Sequence, residues 1–286
     1  RPDIVVIEFA VNDEGDETKG VCYESLVRKV LKLPWKPAVV LLFSVFANDW
    51  NLQERLRPVG DLYDLPMVSI LNAVTPQFSL KCGEGRILSK NQFFYDIFHP
   101  NNTGHTIMAD CLQYLFERCD AAEPARVGTF VEGMTEEQIL SEKLSGPAVI
   151  GADFERIFLL DKKNRYVGAK IRAGSFTSTD IELQSVEMDG NLTQTPEFPY
   201  NWMYDGSRPQ MPGFEMEITC KSLFLIFKDS GEMDVGKANV FVNDVYCMTA
   251  DPHKNNWLHC NAVLLFWETE SRSHKVRITV TEEDQN

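Results

Sequence analysis

Asp96 stands three residues before His99, and His99 directly before Pro100, in the run Phe94-Tyr-Asp-Ile-Phe-His-Pro-Asn-Asn-Thr-Gly-His105. A histidine with a carboxylate at that spacing is the base-and-orienter half of a nucleophilic triad. The ring takes up and returns a proton, and the carboxylate accepts its other N–H and fixes the tautomer. Asn12 is a third candidate, since it follows the apolar run Ile4 to Phe9 and precedes Asp13. A neutral amide held at a strand end can donate to an oxygen that is gaining negative charge. Each feature alone has a plain structural alternative: a turn for Asn12-Asp13, a helix cap for His99-Pro100. No obvious nucleophile accompanies them.

The elements that must position these residues follow from hydrophobic period. Ile4 to Phe9 reads as a buried parallel strand. Tyr23 to Leu33 reads as an amphipathic helix with Leu26, Val27, Val30 and Leu31 on one face, stopped by Pro34 and Pro37. Ala38 to Phe46 is a second strand, Asn51 to Leu62 a helix and Pro66 to Leu71 a third strand. This alternation predicts βαβ units and a parallel sheet. Residues 75–91 read as a loop or short helices. Thr106 to Cys119 has helical spacing, and Pro100 suits the first helical position, which puts His99 in the loop ahead of the helix. His105 is expected to pack in the first helical turn. Ligands of doubly wound sheets gather at the C-terminal ends of the strands, where Asn12 and Ala47-Asn-Asp-Trp50 fall. Trp50 either lines a substrate pocket there or packs as a rim aromatic.

Beyond Asp120-Ala-Ala-Glu-Pro124 the texture changes. Thr135 to Leu144 predicts a short helix. Short β-type runs follow at Ala169–Ala173, Phe214–Thr219, Ser222–Phe227, Ala238–Val242, Ala262–Trp267 and Lys275–Val280. Asp189-Gly190-Asn191, Asp205-Gly206-Ser207 and Asn243-Asp244 mark turns between them. The expected layout is an α/β domain at residues 1–121, a linker with a short helix at 122–148, and an all-β sandwich or jelly roll at 149–286.

Composition narrows the partners. The 286 residues carry a net charge of −14, which disfavours nucleic acid and anionic membrane surfaces as partners. The sequence has no apolar run of the roughly eighteen residues that a membrane helix needs. Its seven cysteines are scattered without CxxC spacing, so neither a zinc site nor a disulfide framework is indicated. His253, His259 and His274 show no metal-ligand spacing and are expected on the surface or in loops. No metal or organic cofactor is called for. Reduced thiols favour a cytoplasmic location, and the polypeptide expected upstream keeps secretion as the alternative. The chain opens on Arg1-Pro2-Asp3 and runs straight into a central strand, so further polypeptide is expected upstream.

Ala10-Val11-Asn12-Asp13 and Asp96-x-x-His99-Pro100 with Gly104-His105, in this order, resemble the third and fifth blocks of the SGNH (GDSL-type) hydrolases. The match covers roughly residues 1–120. The resemblance implies a three-layer, flavodoxin-like sheet, His99 as general base and then acid, Asp96 as its orienter and Asn12 as an oxyanion-hole donor. Ala10 replaces the family's glycine, an exchange that requires a negative φ. The Gly-Asp-Ser block with the nucleophile is not in this chain. Gly60-Asp61-Leu62 lies after Asn12 and lacks the serine, while Ser175 and Ser207 fall in the second domain. The serine is therefore expected upstream, in the same chain or on a companion N-terminal fragment.

Lys221–Phe227, Gly236–Asp244 and Asn256–His259 resemble the jelly-roll domain of family 2 carbohydrate esterases, which usually comes first in the chain and here comes second. That resemblance implies an acylated, above all acetylated, plant oligo- or polysaccharide as substrate, as for an acetyl xylan esterase. Trp50 and Trp257 are the candidate substrate-binding aromatics; Trp202 and Tyr204 fit core packing better. Two alternatives remain open. One is a non-catalytic carbohydrate-binding protein derived from such an esterase. The other is a lipid or thioester hydrolase of the same fold, against which the polar Asn48, Asp49 and Asn51 argue.

Overall fold

The computed structural model describes residues 1–121, 133–181, 198–207, 212–231, 235–255 and 259–281. It divides into two compact units, Arg1–Ile157 and Phe158–Asn286.

In the first unit β1 (Ile4–Glu8), β2 (Ala38–Phe43) and β3 (Met67–Ser69) form a parallel sheet in that order. β2 is central, and its alternate residues enter two different cores. Val39, Leu41 and Phe43 pack with Tyr23 and Val27 of α1 (Val21–Leu31) and with Leu56, Val59 and Tyr63 of α2 (Gln53–Tyr63). Leu42 packs on the other face, with Val68, Phe93 and Phe94, against Ile107, Met108 and Leu112 of the long helix at Asn102–Ala121. The result is three layers around a parallel sheet. β1 departs from the expected strand buried on both faces: Ile7 is buried, but Ile4 and Val6 are 47% and 42% exposed. It lies at the edge of the sheet, and only its Ile7 face joins a core.

Three short helices, α3 (Ile70–Ala73), α4 (Pro76–Ser79) and α5 (Lys90–Phe93), fill the stretch between β3 and the long helix, which is α6. α7 (Glu136–Ser145) has Thr135 as its N-cap, with Thr135 Oγ1 accepting the Gln138 N–H. The residues after α7 return to α1 through a fully buried carboxylate. Glu24 accepts the N–H groups of Val149, Ile150 and Gly151 and the Tyr63 hydroxyl. Arg28 completes the anchor, donating to Tyr63 Oη, Glu155 and the Leu144 carbonyl. Sequence texture changes at 122–148, whereas the compact division falls after residue 157, because these two side chains hold residues 144–155 against α1.

The described part of the second unit carries one antiparallel sheet of order β4-β5-β8-β6-β7. Its strands are β4 (Ala169–Arg172), β5 (Phe214–Asp229), β6 (Ala238–Val242), β7 (Val245–Ala250) and β8 (His259–Val280). Two pairs of predicted strands are each one long strand. Phe214–Thr219 and Ser222–Phe227 lie in β5, and Ala262–Trp267 and Lys275–Val280 lie in β8. The cause is a bulge, since Cys220 pairs with Arg272 but Ser222 pairs with Trp267, so β8 carries extra residues without ending. Asn243 and Asp244 both have positive φ and join β6 to β7 as a two-residue hairpin. His274 corrects the expectation of a surface or loop histidine. It is 5% exposed within β8, stacked on Phe266 with ring centroids 4.0 Å apart.

Candidate active site

α6 starts at Asn102 because Asn101 caps it, its side-chain oxygen accepting the Gly104 N–H at 3.0 Å. Pro100 thus lies two residues ahead of the helix, not at its first position. It serves to close the preceding loop. Phe94 and Pro100 form an antiparallel bridge, Tyr95 N–H donates to the His99 carbonyl at 2.8 Å, and Asn101 N–H donates to the Phe93 carbonyl at 2.9 Å. Residues 95–99 are a small loop tied shut at its base.

Asp96 organises the interior of that loop. Its Oδ1 accepts the N–H of Phe98 at 2.7 Å and of His99 at 2.8 Å, and both carboxylate oxygens lie 2.9–3.0 Å from His99 Nδ1. The His99 ring and the Phe98 N–H hold the Asp96 carboxyl below the usual carboxylate range. An ionised Asp96 only accepts, so Nδ1 is the donor and Nε2 is the basic nitrogen. Among the described residues Asp96 is the sole hydrogen-bond partner of the His99 ring. His99 lines a shallow cleft of about 420 Å³ together with Tyr95, Asn102 and His105. His105 is exposed there and does not pack in the helical turn as expected, because in the first turn of α6 it is Gly104 that is buried.

Asn12 is exposed at the start of a 3₁₀ turn, Asp13–Gly15, and its side chain makes no capping bond. Ala10, two residues earlier, is fully buried and has no positive φ, so the methyl in place of a glycine hydrogen is accommodated. Both of its backbone groups are engaged. Its N–H donates to Glu8 Oε1 at 3.0 Å, and its carbonyl accepts the Leu52 N–H at 2.8 Å. Glu8 Oε1 also accepts the Ser44 N–H at 3.4 Å, joining the ends of β1 and β2. Burial pushes the Glu8 carboxyl up, opposed by the Ala10 N–H. Burial, with Asp16 and Glu8 nearby, pushes Asp13 up to about 6. Sequence reasoning missed Glu8; a lone carboxylate inside an apolar strand was the available signal.

The loop after β2 connects the two regions. Ala47 N–H donates to the Ile97 carbonyl at 2.9 Å. Lys90 Nζ lies 2.5 Å from the Ala47 carbonyl and 3.2 Å from Asp49 Oδ1. Half-buried Trp50 stacks on Phe46 with centroids 5.4 Å apart, and Phe46 meets Phe98 edge to face at 5.1 Å. Trp50, Asp96 and His99 are therefore linked through Phe46 and Phe98 beyond the end of β2, while Asn12 lies in the turn after β1. Phe46, Lys90 and Phe98 are members of this linkage that the sequence did not reveal, since nothing local pairs them.

Other candidates lie elsewhere. Trp257 is outside the described residues. Trp202 meets Phe214 at 5.2 Å in the core of the second unit, and Tyr204 lies against Phe176 at 6.0 Å. Ser175 and Ser207 are also in that unit, and the Ser207 hydroxyl donates to Asp205 at 2.6 Å. Gly60 is a packing glycine of α2, where a Cβ would come within 2.4 Å of Met67 Sδ. Among the described residues no three His, Cys, Asp or Glu side chains cluster as a metal site.

No protein-family model matches the chain, and no curated protein does. Solved structures do, among them two of a two-domain esterase active on acetylated mannans, one co-crystallised with mannopentaose. These two share 21% identity with this chain, with TM-scores of 0.68 and 0.69, and the match spans 99% of this chain and 68% of theirs. What is shared is the fold.

Proposed function

We propose that this chain acts as a carbohydrate esterase of the SGNH type, removing short acyl groups, acetyl foremost, from plant polysaccharide. The observation that carries this reading is the Asp96–His99 pair at 2.9 Å, held in a closed loop on the rim of a fold shared with an esterase active on acetylated mannans. In the reaction a serine oxygen attacks the ester carbonyl carbon while His99 Nε2 takes its proton. Asn12 donates to the oxyanion, a contribution worth about 3 kcal/mol for a single donor. The protonated ring then passes its proton to the departing sugar oxygen, leaving an acyl-serine that water hydrolyses with His99 again as base. The serine is taken to be that of the family's Gly-Asp-Ser block, a run that these 286 residues do not contain. The second unit is read as a jelly-roll companion to this site.

That same observation favours a second reading, a carbohydrate-binding protein that has kept the acid–base pair without the nucleophile. Acetate release from acetylated mannan and acetylated xylan oligosaccharides separates the two. Release of acetate supports the esterase; binding of the sugars without release supports the binding protein.

A further inference from the structure

The loop that holds His99 presents more apolar surface than its own packing requires. Tyr95 is 81% exposed and Phe98 53%, and Ile97 between them is also exposed. Exposed apolar side chains cost hydration free energy, and a patch of them marks a contact surface. The loop that carries them is firmly tied. Asp96 accepts the Phe98 N–H, Tyr95 N–H is bonded to the His99 carbonyl, Ala47 N–H holds the Ile97 carbonyl, and the Phe46–Trp50 stack supports Phe98 edge to face. Phe98 also meets the His99 ring edge to face, with centroids 6.2 Å apart.

We propose that Phe98, supported by Phe46 and Trp50, forms with Tyr95 of the same loop a platform on which a pyranose ring of the substrate stacks, placing its ester beside His99. The proposal rests on the carbohydrate-esterase reading and adds the residues that seat the sugar. Its occupant follows from the chemistry around the rings. A pyranose offers an apolar C–H face to an aromatic ring and hydroxyls at its edge. The platform matches that pattern, with exposed Asn48 and the Asp49–Lys90 pair on the adjoining loop and Asp96 and His99 on its own. An anionic occupant is disfavoured by the net charge of −14, and a lipid chain by the interleaved charged groups. Because the loop backbone and the Phe98 ring are held before binding, little ordering cost is paid there on contact. The platform is continuous with the cleft that Tyr95 and His99 line.

The test is calorimetric titration of the full chain with mannopentaose and with xylopentaose, comparing wild type, Phe98→Ala, Tyr95→Ala and a control, Tyr114→Ala, at an exposed tyrosine on α6. Thermal melts establish that each variant is folded. The expected result is affinity for at least one of the sugars, lowered about tenfold or more in both platform variants and unchanged in the control. Wild-type affinity in folded Phe98→Ala and Tyr95→Ala would overturn the platform and leave the carbohydrate reading standing. No binding of either sugar by the wild type would overturn the carbohydrate reading, and the platform with it.

Discussion

The Asp96 carboxylate holds the His99 ring and the backbone that carries it at the same time. One oxygen takes the main-chain N–H groups of Phe98 and His99, while both lie within 3.0 Å of Nδ1. Ring and loop cannot move independently, so the tautomer and the position of Nε2 are set together.

Asp96→Asn separates these two roles. The asparagine oxygen still accepts from the backbone, but its amide hydrogens face Nδ1 and favour the tautomer with the proton on Nε2. Hydrolysis is expected to fall on the order of 10³–10⁴-fold with little change in melting temperature, the pattern of a base left in the wrong tautomer. Nitrogen NMR of the His99 ring reads the tautomer directly.

Asp13 gives a pH-dependent stability. Its carboxyl is raised from an ordinary 3.8 to about 6, so between those values the folded protein binds more protons than the unfolded chain. By linkage, stability from this group is greatest below about pH 4 and is lost as pH rises through 6. The site is only half-buried, and solvent screening leaves a cost of about 1 kcal/mol at neutral pH. Asp13→Asn is expected to raise stability by that amount at pH 7.5 and to leave it unchanged at pH 4, as measured by urea denaturation at the two pH values.

Gly104 sits where α6 presses on the end of α5. A Cβ there would lie 2.3 Å from the Phe93 carbonyl oxygen and 2.8 Å from Pro100 Cβ. Neither is the far end of a flexible side chain. Gly104→Ala is expected to destabilise the first unit by about 2 kcal/mol or more, despite alanine's better helix propensity. A thermal melt that shows unchanged or higher stability would contradict this packing.

What the sequence disclosed and what it hid divide along the range of the interactions. Asp96 and His99 are three residues apart, and their contact follows from local spacing. The parallel sheet of the first unit was legible because β2 is apolar from Val39 to Phe43. The start of α6 was misplaced because two local rules compete. Proline suits a first helical position, but Asn101 supplies a side-chain cap just after it, and the cap prevailed. Glu8, Lys90 and Phe98 were hidden because their partners, Ser44, Ala47 and Phe46, lie tens of residues away. β5 and β8 looked like separate short strands because a bulge interrupts the alternation without breaking the ladder.

The most direct test of the account is acetate release from acetylated mannan by the full-length gene product that contains these residues, wild type against His99→Ala. The account predicts measurable release by the wild type and a loss of at least about 10³-fold in the variant, with thermal stability preserved because the ring is exposed. Release that survives the substitution in a folded variant would contradict it.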